Sequence, residues 1–323
     1  MVTGATGFLG GGLARRLLAL GLPATRLRCL VRDRGRASSL PAVSLRVGDL
    51  AADDGAAQLR DAVRGVATVV HLAGALQGVR AADFDRVNVT GTQRLVDAVR
   101  EQAPGAFVVC VSSLAAAGPS VDGATSTLPP DQARPVSWYG DSKRRGELAV
   151  VASGLPFTIV RPPVVYGSGD AATRLLFRQA LAPLVAVPWR AAPLSIVHAD
   201  DVVEALVLAI ARRARGAILP LDGPERTDTH ALNRAIAAAC DRRSRLLRVP
   251  LPLVRGAAFA ADAFCRLRGT SSFFSRDKVR EIAACGWVAD GEGARRTLGF
   301  TPRIHLHEGL AAVAAAEGHA ARA

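Results

Sequence analysis

The chain has 323 residues, half of them hydrophobic, with a mean hydropathy of +0.21; this is enough to bury a large α/β core with a smaller lobe, and it excludes extended disorder. A formal charge of +13 (41 Lys and Arg against 28 Asp and Glu) would draw anions, but the arginines are scattered and do not interleave with aromatics, so no nucleic-acid partner is expected. The five cysteines, Cys29, Cys110, Cys240, Cys265 and Cys285, share no CxxC spacing, and the sparse histidines gather no ligand set, so a reducing, cytoplasmic location without a metal site is expected.

The chain opens on a strand and a glycine turn rather than a signal peptide. Val2-Thr3 reads as the end of a strand, and a helix follows from about Gly10 to Leu20. Only Met1 to Thr3 precede Gly4, so either the first strand is short or the chain begins upstream of Met1. Strands are predicted at Leu27 to Val31, Val43 to Val47, Thr68 to Leu72, Phe107 to Val111 and Phe157 to Val160, and helices at Ala56 to Arg64, Phe84 to Glu101 and Trp138 to Ser153. A proline-rich loop, Gly118 to Val136, is expected on the surface at the cleft mouth. Short apolar strands alternating with helices predict a Rossmann-like, doubly wound parallel sheet over residues 1–165.

After Arg161-Pro162-Pro163 the rhythm loosens. Helices are predicted at Ala171 to Leu181, Val202 to Arg212 and Thr229 to Cys240, and a strand at Leu246 to Val249. Residues 166–323 read as a smaller C-terminal substrate lobe with segments returning to the core. The apolar stretch Leu246 to Leu267 holds Arg248, Arg255, Asp262, Arg266 and two prolines, too many breaks for a membrane span. A helix lying on a membrane surface or lining an apolar pocket are the uses left to it.

Val2-Thr3-Gly4-Ala5-Thr6-Gly7-Phe8-Leu9-Gly10 carries a GxxGxxG spacing between strand and helix. Gly4 permits the tight turn, Gly7 lets the backbone approach a pyrophosphate, and Gly10 lets the helix pack on the sheet. The free amides of the helix start then face the phosphates. At the end of the second strand Arg32 can meet the 2′-phosphate of NADP, the favoured cofactor; Asp33 keeps NAD as the second candidate, and a solvated charge run is the plain reading of Arg34 and Arg36. Asp49, in Gly48-Asp49-Leu50, suits the adenine amino group.

Val111-Ser112-Ser113 closes a buried strand, and Tyr139-Gly140-Asp141-Ser142-Lys143 opens a helix. Tyr and Lys four apart share one helix face. An ammonium one turn away is expected to lower the phenol from its usual value near 10. A serine hydroxyl can hold the substrate oxygen while the phenol moves a proton. The plain alternative is a surface Tyr–Lys pair.

With these motifs the chain resembles the extended short-chain dehydrogenases/reductases, over roughly residues 1 to 310. The likeness also rests on His71-Leu72-Ala73-Gly74, Asn88-Val89-Thr90-Gly91-Thr92, Arg161-Pro162-Pro163-Val164-Val165-Tyr166-Gly167 and Ile196-Val197-His198-Ala199-Asp200-Asp201-Val202. The resemblance implies Ser113, Tyr139 and Lys143 as catalytic trio, with Ser113 chosen over Ser112 for its distance from Gly118. It implies that Gly4, Thr6, Gly7, Phe8, Leu9, Gly10, Arg32, Asp49, Leu50, Asn88, Tyr139 and Lys143 form the cofactor site. Leu72, Ala73 and Gly74 would pass beside the cofactor, Pro162 to Val165 would pack near the nicotinamide, and Asp201 would cap or start the next helix. A homodimer through the helices near Phe84 to Glu101 and Trp138 to Ser153 is also implied. The run Ser113-Leu114-Ala115-Ala116-Ala117-Gly118 has no polar residue to touch a sugar, unlike sugar epimerases, and resembles the steroid and ketone reductase branch. The expected reaction is therefore hydroxyl/ketone interconversion on an apolar small molecule, with a sugar-nucleotide epimerase or dehydratase as the alternative and a non-catalytic nucleotide-sensing scaffold third.

Overall fold

The computed structural model describes residues 1–52, 55–121, 128–268, 270 and 274–318. The first half runs β1 (Val2–Thr3), α1 (Phe8–Ala19), β2 (Arg28–Val31), β3 (Ser44–Val47), α2 (Ala56–Val63) and β4 (Thr68–His71). It continues through α3 (Ala81–Asp85), a wide π-type turn over Arg86–Gly91, α4 (Thr92–Gln102), β5 (Phe107–Val111), α5 (Leu114–Ala117), α6 (Trp138–Ala152) and β6 (Phe157–Arg161). The second half runs β7 (Val164–Tyr166), α7 (Ala171–Ala180), β8 (Leu184–Pro188), β9 (Pro193–His198), α8 (Ala199–Arg212), β10 (Ala217–Pro220), β11 (Arg226–Asp228), α9 (Thr229–Ala239) and β12 (Arg245–Val249). It ends with α10 (Leu251–Arg268), α11 (Arg276–Ile282), α12 (Glu292–Leu298) and α13 (Leu306–Ala316).

Seven parallel strands form the central sheet in the order β10-β6-β5-β4-β1-β2-β3. The strand order reverses at β1, so the carboxyl ends of β1 and β4 flank a crevice suited to a ligand. β1 has two residues, both buried between its neighbours, with Val2 opposite Cys29 and Val70. Side chains alternate across the sheet. Val109 and Phe107 join Leu13, Leu206 and Leu298 on one face, and Val108 and Cys110 join Leu59, Leu95 and Val150 on the other. A third cluster, with Phe177, Ile196, Ile236 and Val313, holds the smaller lobe.

Several local expectations change. Strands β7, β9 and β11 form a small sheet absent from the sequence reading, and β8 pairs with β12 in another. β12 matches the strand expected at Leu246 to Val249; the others are short and their partners lie far along the chain, so no local period marks them. The helix expected at Val202 begins at Ala199, capped by His198, whose ring nitrogen accepts from Asp200 N at 3.2 Å. Asp201 lies in the first turn of that helix rather than at its cap, and its carboxylate accepts from Arg303 N and Ile304 N at 3.1 and 3.0 Å. Of the expected Gly118–Val136 surface loop, residues 122–127 lie outside the described residues. Its flanks are pinned inward, with Ser120 buried and its hydroxyl accepting from Val288 N at 3.2 Å. No helix among the described residues is long and apolar enough to cross a membrane.

Between α6 and β6 lies a buried ion pair. Glu147 takes two hydrogen bonds from Arg161, at 2.8 and 2.6 Å, with both side chains wholly shielded from solvent. Arg161 also donates to Leu128 O at 2.6 Å. Removing one partner strands a buried charge. Glu147→Ala is expected to cost about 3–5 kcal/mol, read as a lower urea midpoint at unchanged slope; an unmoved midpoint would count against this role.

Candidate active site

The β1–α1 turn is shaped by glycine. Gly4 sits at φ +66°, and a β-carbon there would stand 2.7 Å from Ala73 N and 2.8 Å from the Leu72 carbonyl carbon. A β-carbon on Gly10 would collide with the Gly4 carbonyl oxygen. Gly7 N donates to Gly4 O at 2.9 Å, and Gly7 starts α1 in extended backbone with no side-chain cap. The first-turn amides of α1 therefore lack intrahelical partners and face the crevice. Phe8 lies over Gly167, where a β-carbon would meet its ring at 2.9 Å, and Leu9 and Val165 pack against the same core cluster.

Thr6 and Gly7 share a cleft of about 260 Å³ with Arg32, Asp33 and Arg36. Asp33 spends an oxygen on its own turn, accepting from Gly35 N at 2.8 Å. Two guanidiniums thus border the cleft, with one acid partly occupied. Asp49 likewise accepts from Ala51 N at 2.9 Å, and Leu50 is buried close to Gly91. A larger cavity of about 470 Å³, lined by Arg34, Leu45, Arg46, Val47, Gln58 and Asp61 among others, includes none of the expected site residues.

Past β4 the chain is held by a row of hydrogen bonds. Ala73 N donates to Thr3 Oγ1 at 3.2 Å, Thr3 Oγ1 meets His71 Nδ1 at 2.8 Å, and His71 Nε2 meets Thr92 Oγ1 at 3.0 Å. Thr92 gives its own proton to Asn88 O at 2.8 Å, so it accepts from His71, which assigns the Nε2–H tautomer. Burial pushes the His71 imidazole down to about 3, helped by the charge of Lys143. Asn88, in the π-type turn, clamps Ala75 from both sides, accepting from its N at 2.8 Å and donating to its O at 3.0 Å. Its amide also donates to Ser142 Oγ at 2.9 Å. A β-carbon on Gly74 would stand 3.2 Å from Asn88 Oδ1 and 3.7 Å from Lys143 Nζ, so Gly74, Asn88 and Lys143 converge.

Ser113, Tyr139 and Lys143 meet where β5 ends against the start of α6. Ser113 accepts from Ala115 N at 3.2 Å, which caps α5, and its hydroxyl acts on the Tyr139 phenol. The neighbouring Ser112 hydroxyl is buried without a partner. The expected lowering of the phenol by Lys143 is not found. Lys143 Nζ donates to Val111 O at 2.8 Å, and burial pushes Tyr139 up to about 12; the Ser113 hydroxyl pulls it down and Glu281 pushes it further up. Burial also pushes the Lys143 ammonium down, against the pull of Cys110 and Glu147. The apolar run Leu114–Ala117 is a buried helical turn, so its lack of polar side chains reflects packing against Gly140 of α6 rather than a pocket wall. Pro162 supports the same turn, its O accepting from Leu114 N at 2.8 Å.

Two acids unnoticed in the sequence hold the start of α6. Asp277 of α11 accepts from Trp138 N at 2.7 Å and Tyr139 N at 3.2 Å. Ser137 accepts from Gly140 N at 3.0 Å and donates to Glu281 at 2.7 Å. Ser137 carries the local signal of a cap; Asp277 lies too far along the chain for spacing to find it.

A profile of the NAD dependent epimerase/dehydratase family matches residues 1–219. The ceramide reductase of Caulobacter vibrioides is 33% identical over 297 residues, covering 89% of this chain and 84% of its own. The sterol demethylase protein B of Methylococcus capsulatus is 31% identical over 323 residues, covering 94% of this chain and 93% of its own. A solved structure of MoeE5 with UDP-glucuronic acid and NAD superposes with a TM-score of 0.71 at 26% identity, covering 96% of each chain.

Asp277→Ala would leave the Trp138 and Tyr139 amides without their cap. Hydrogen exchange at these two positions should accelerate, with a stability loss of about 1 kcal/mol. Unchanged exchange would show that the cap is not used in solution.

Proposed function

The chain belongs to the NAD dependent epimerase/dehydratase family, and from that premise we propose that it is an NADP-dependent dehydrogenase/reductase interconverting a hydroxyl and a ketone on an apolar, lipid-like molecule. The observation that carries the reading is the convergence of Ser113 on the Tyr139 phenol and of Lys143 on Gly74, near the cleft bordered by Thr6, Gly7 and Arg32.

The residues present fit such a cofactor: the uncapped start of α1 at Gly7 offers free amides, and Thr6 and Gly7 border a cleft with Arg32 and Arg36. The nicotinamide, when bound, supplies or accepts the hydride. The chain's own residues handle the oxygen and the proton. Ser113 Oγ and Tyr139 Oη hold the substrate oxygen from one side. In reduction Tyr139 gives its proton to that oxygen as the C=O bond becomes C–O–H, and in oxidation it takes the proton back. Lys143, next to Gly74, offers donors to a ribose hydroxyl. Because burial keeps the phenol protonated at neutral pH, Tyr139 stands ready as an acid.

Two considerations support an apolar substrate. Two of the curated relatives matched along most of their length carry lipid names, ceramide reductase and sterol demethylase protein B. The segment reaching Tyr139 through Asp277 continues from α10, which is rich in exposed apolar side chains. The MoeE5 likeness favours the second reading, a sugar-nucleotide enzyme. Incubation with oxidised cofactor and either hydroxylated lipids or UDP- and dTDP-sugars separates them. Net cofactor reduction with the lipids alone supports the first reading; sugar conversion without net cofactor change would replace it with the second.

Tyr139→Phe should abolish turnover and leave cofactor affinity within about twofold, measured by steady-state rates and fluorescence titration. In the unaltered enzyme the base form of a phenol near 12 is scarce at neutral pH. Alcohol oxidation should therefore rise steeply, approaching tenfold per unit between about pH 7 and 9, while ketone reduction stays nearly flat. Equal slopes in both directions would remove Tyr139 from the proton step.

Arg32 and Arg36 at the Thr6–Gly7 cleft support NADP over NAD. Arg32→Ala should weaken NADP by about tenfold or more and barely alter NAD, read by calorimetry. An equal loss for both would argue against a 2′-phosphate contact.

A further inference from the structure

We propose that α10 is a surface-docking helix that lies in the headgroup layer of an anionic phospholipid bilayer, apolar face down. The proposal goes beyond the reaction above and stands on surface chemistry alone.

The helix has 18 residues, yet only Ala258 and Asp262 on it are buried. Its protein-facing stripe, Leu251, Val254, Ala258, Asp262 and Cys265, keeps helical spacing. On the opposite side stand Leu253, Phe264 and Leu267, at 65%, 53% and 88% exposure, with Phe259 at 61% on the flank. A face of this kind is costly to keep in water and marks a contact surface.

Its charge says what the contact is. Every charged residue from Arg242 to Arg268 is an arginine except Asp262. That aspartate is buried and accepts from Arg276 N and Nε at 3.1 and 3.2 Å. Arg255 and Arg266, three turns apart, share one flank of the apolar face, and Arg268 takes the other. Arg268 lies over the Phe264 ring at 4.5 Å and Arg276 over Phe259 at 5.3 Å. Apolar rings between arginine borders match an interfacial helix on an anionic bilayer. The chain leading into α10 continues the surface. Leu247 of β12 is 48% exposed, and Trp189, whose N donates to Val249 O at 3.0 Å, is 61% exposed. Tryptophan favours the headgroup level.

The helix also connects to the catalytic groups. Asp262 fastens α10 to Arg276 at the head of α11, and the next residue, Asp277, caps Trp138 and Tyr139. A bilayer under α10 would lie two hydrogen-bonded joints from the catalytic tyrosine, a short path for a lipid leaving the membrane.

The test is co-sedimentation of the full chain with vesicles of phosphatidylcholine alone, and of phosphatidylcholine and phosphatidylglycerol in equal amounts. The protein should pellet with the anionic vesicles, remain in solution with the neutral ones, and be released by salt. The triple variant Leu253→Ser, Phe264→Ser, Leu267→Ser alters only exposed positions; it should keep its circular dichroism and lose vesicle binding by about tenfold or more. A second variant, Arg255→Gln with Arg266→Gln and Arg268→Gln, should lose the preference for anionic vesicles. Undiminished binding of the apolar triple variant would overturn the proposal, leaving general positive charge as the cause. No binding of the unaltered chain would overturn it as well. So would a self-associated chain that the apolar variant converts to a smaller species in sedimentation, since the face would then be covered by a second copy.

Discussion

The position of α6 is the constraint on which the site depends. A tyrosine and a lysine one turn apart are useful only if their helix neither slides nor rotates. Buried polar contacts prevent both at successive levels. At its start, Asp277 and Ser137 take the free amides. In its middle, Ser142 meets Asn88, and Gly146 lets the helix close onto Asn88 O. Further along, Glu147 meets Arg161 in complete burial. Each contact costs more when half-made than when absent, so together they admit one position of the helix.

The same contacts show how the two halves of the chain cooperate. Asn88 comes from the π-type turn, Arg161 from β6 and Asp277 from α11. Only the last belongs to the C-terminal part, and it acts on the tyrosine's own backbone. The phenol is therefore held from the sheet side by Ser113 and from the lobe side by its amide. Burial outweighs the lysine in setting its acidity, because Lys143 spends a donor on Val111 O and feels desolvation of its own.

What could be read from the sequence divides along physical lines. β2, β4, β5 and β6 were legible because buried parallel strands are continuous apolar runs bounded by helices. The turn at Gly4 was legible because its requirement is backbone geometry, which shows as residue type. Asp277 was not, since a cap supplied across a lobe leaves no spacing to find. The run Leu114–Ala117 misled because an apolar sequence cannot say whether it faces a ligand or a helix. α10 was legible as amphipathic, but which side faced the protein depended on Asp262 being buried against Arg276. An aspartate in an apolar run looks like a break to water when it is in fact the anchor.

The row from Ala73 through Thr3, His71 and Thr92 to Asn88 has each proton committed, and it joins the central strand β1 to the helix that follows the π-type turn. An imidazole so placed cannot take a second proton without breaking the row. Its folded value, about 3, lies far below the 6.5 of an exposed histidine. The unfolded chain therefore binds the extra proton first, and stability is full above about pH 6.5. Below that, acid withdraws ~1.4 kcal/mol per unit until the folded imidazole itself titrates near 3. The crevice beside β1 thus carries an acid fuse: acidification below about pH 6.5 draws stability from the row that ties β1 to α4.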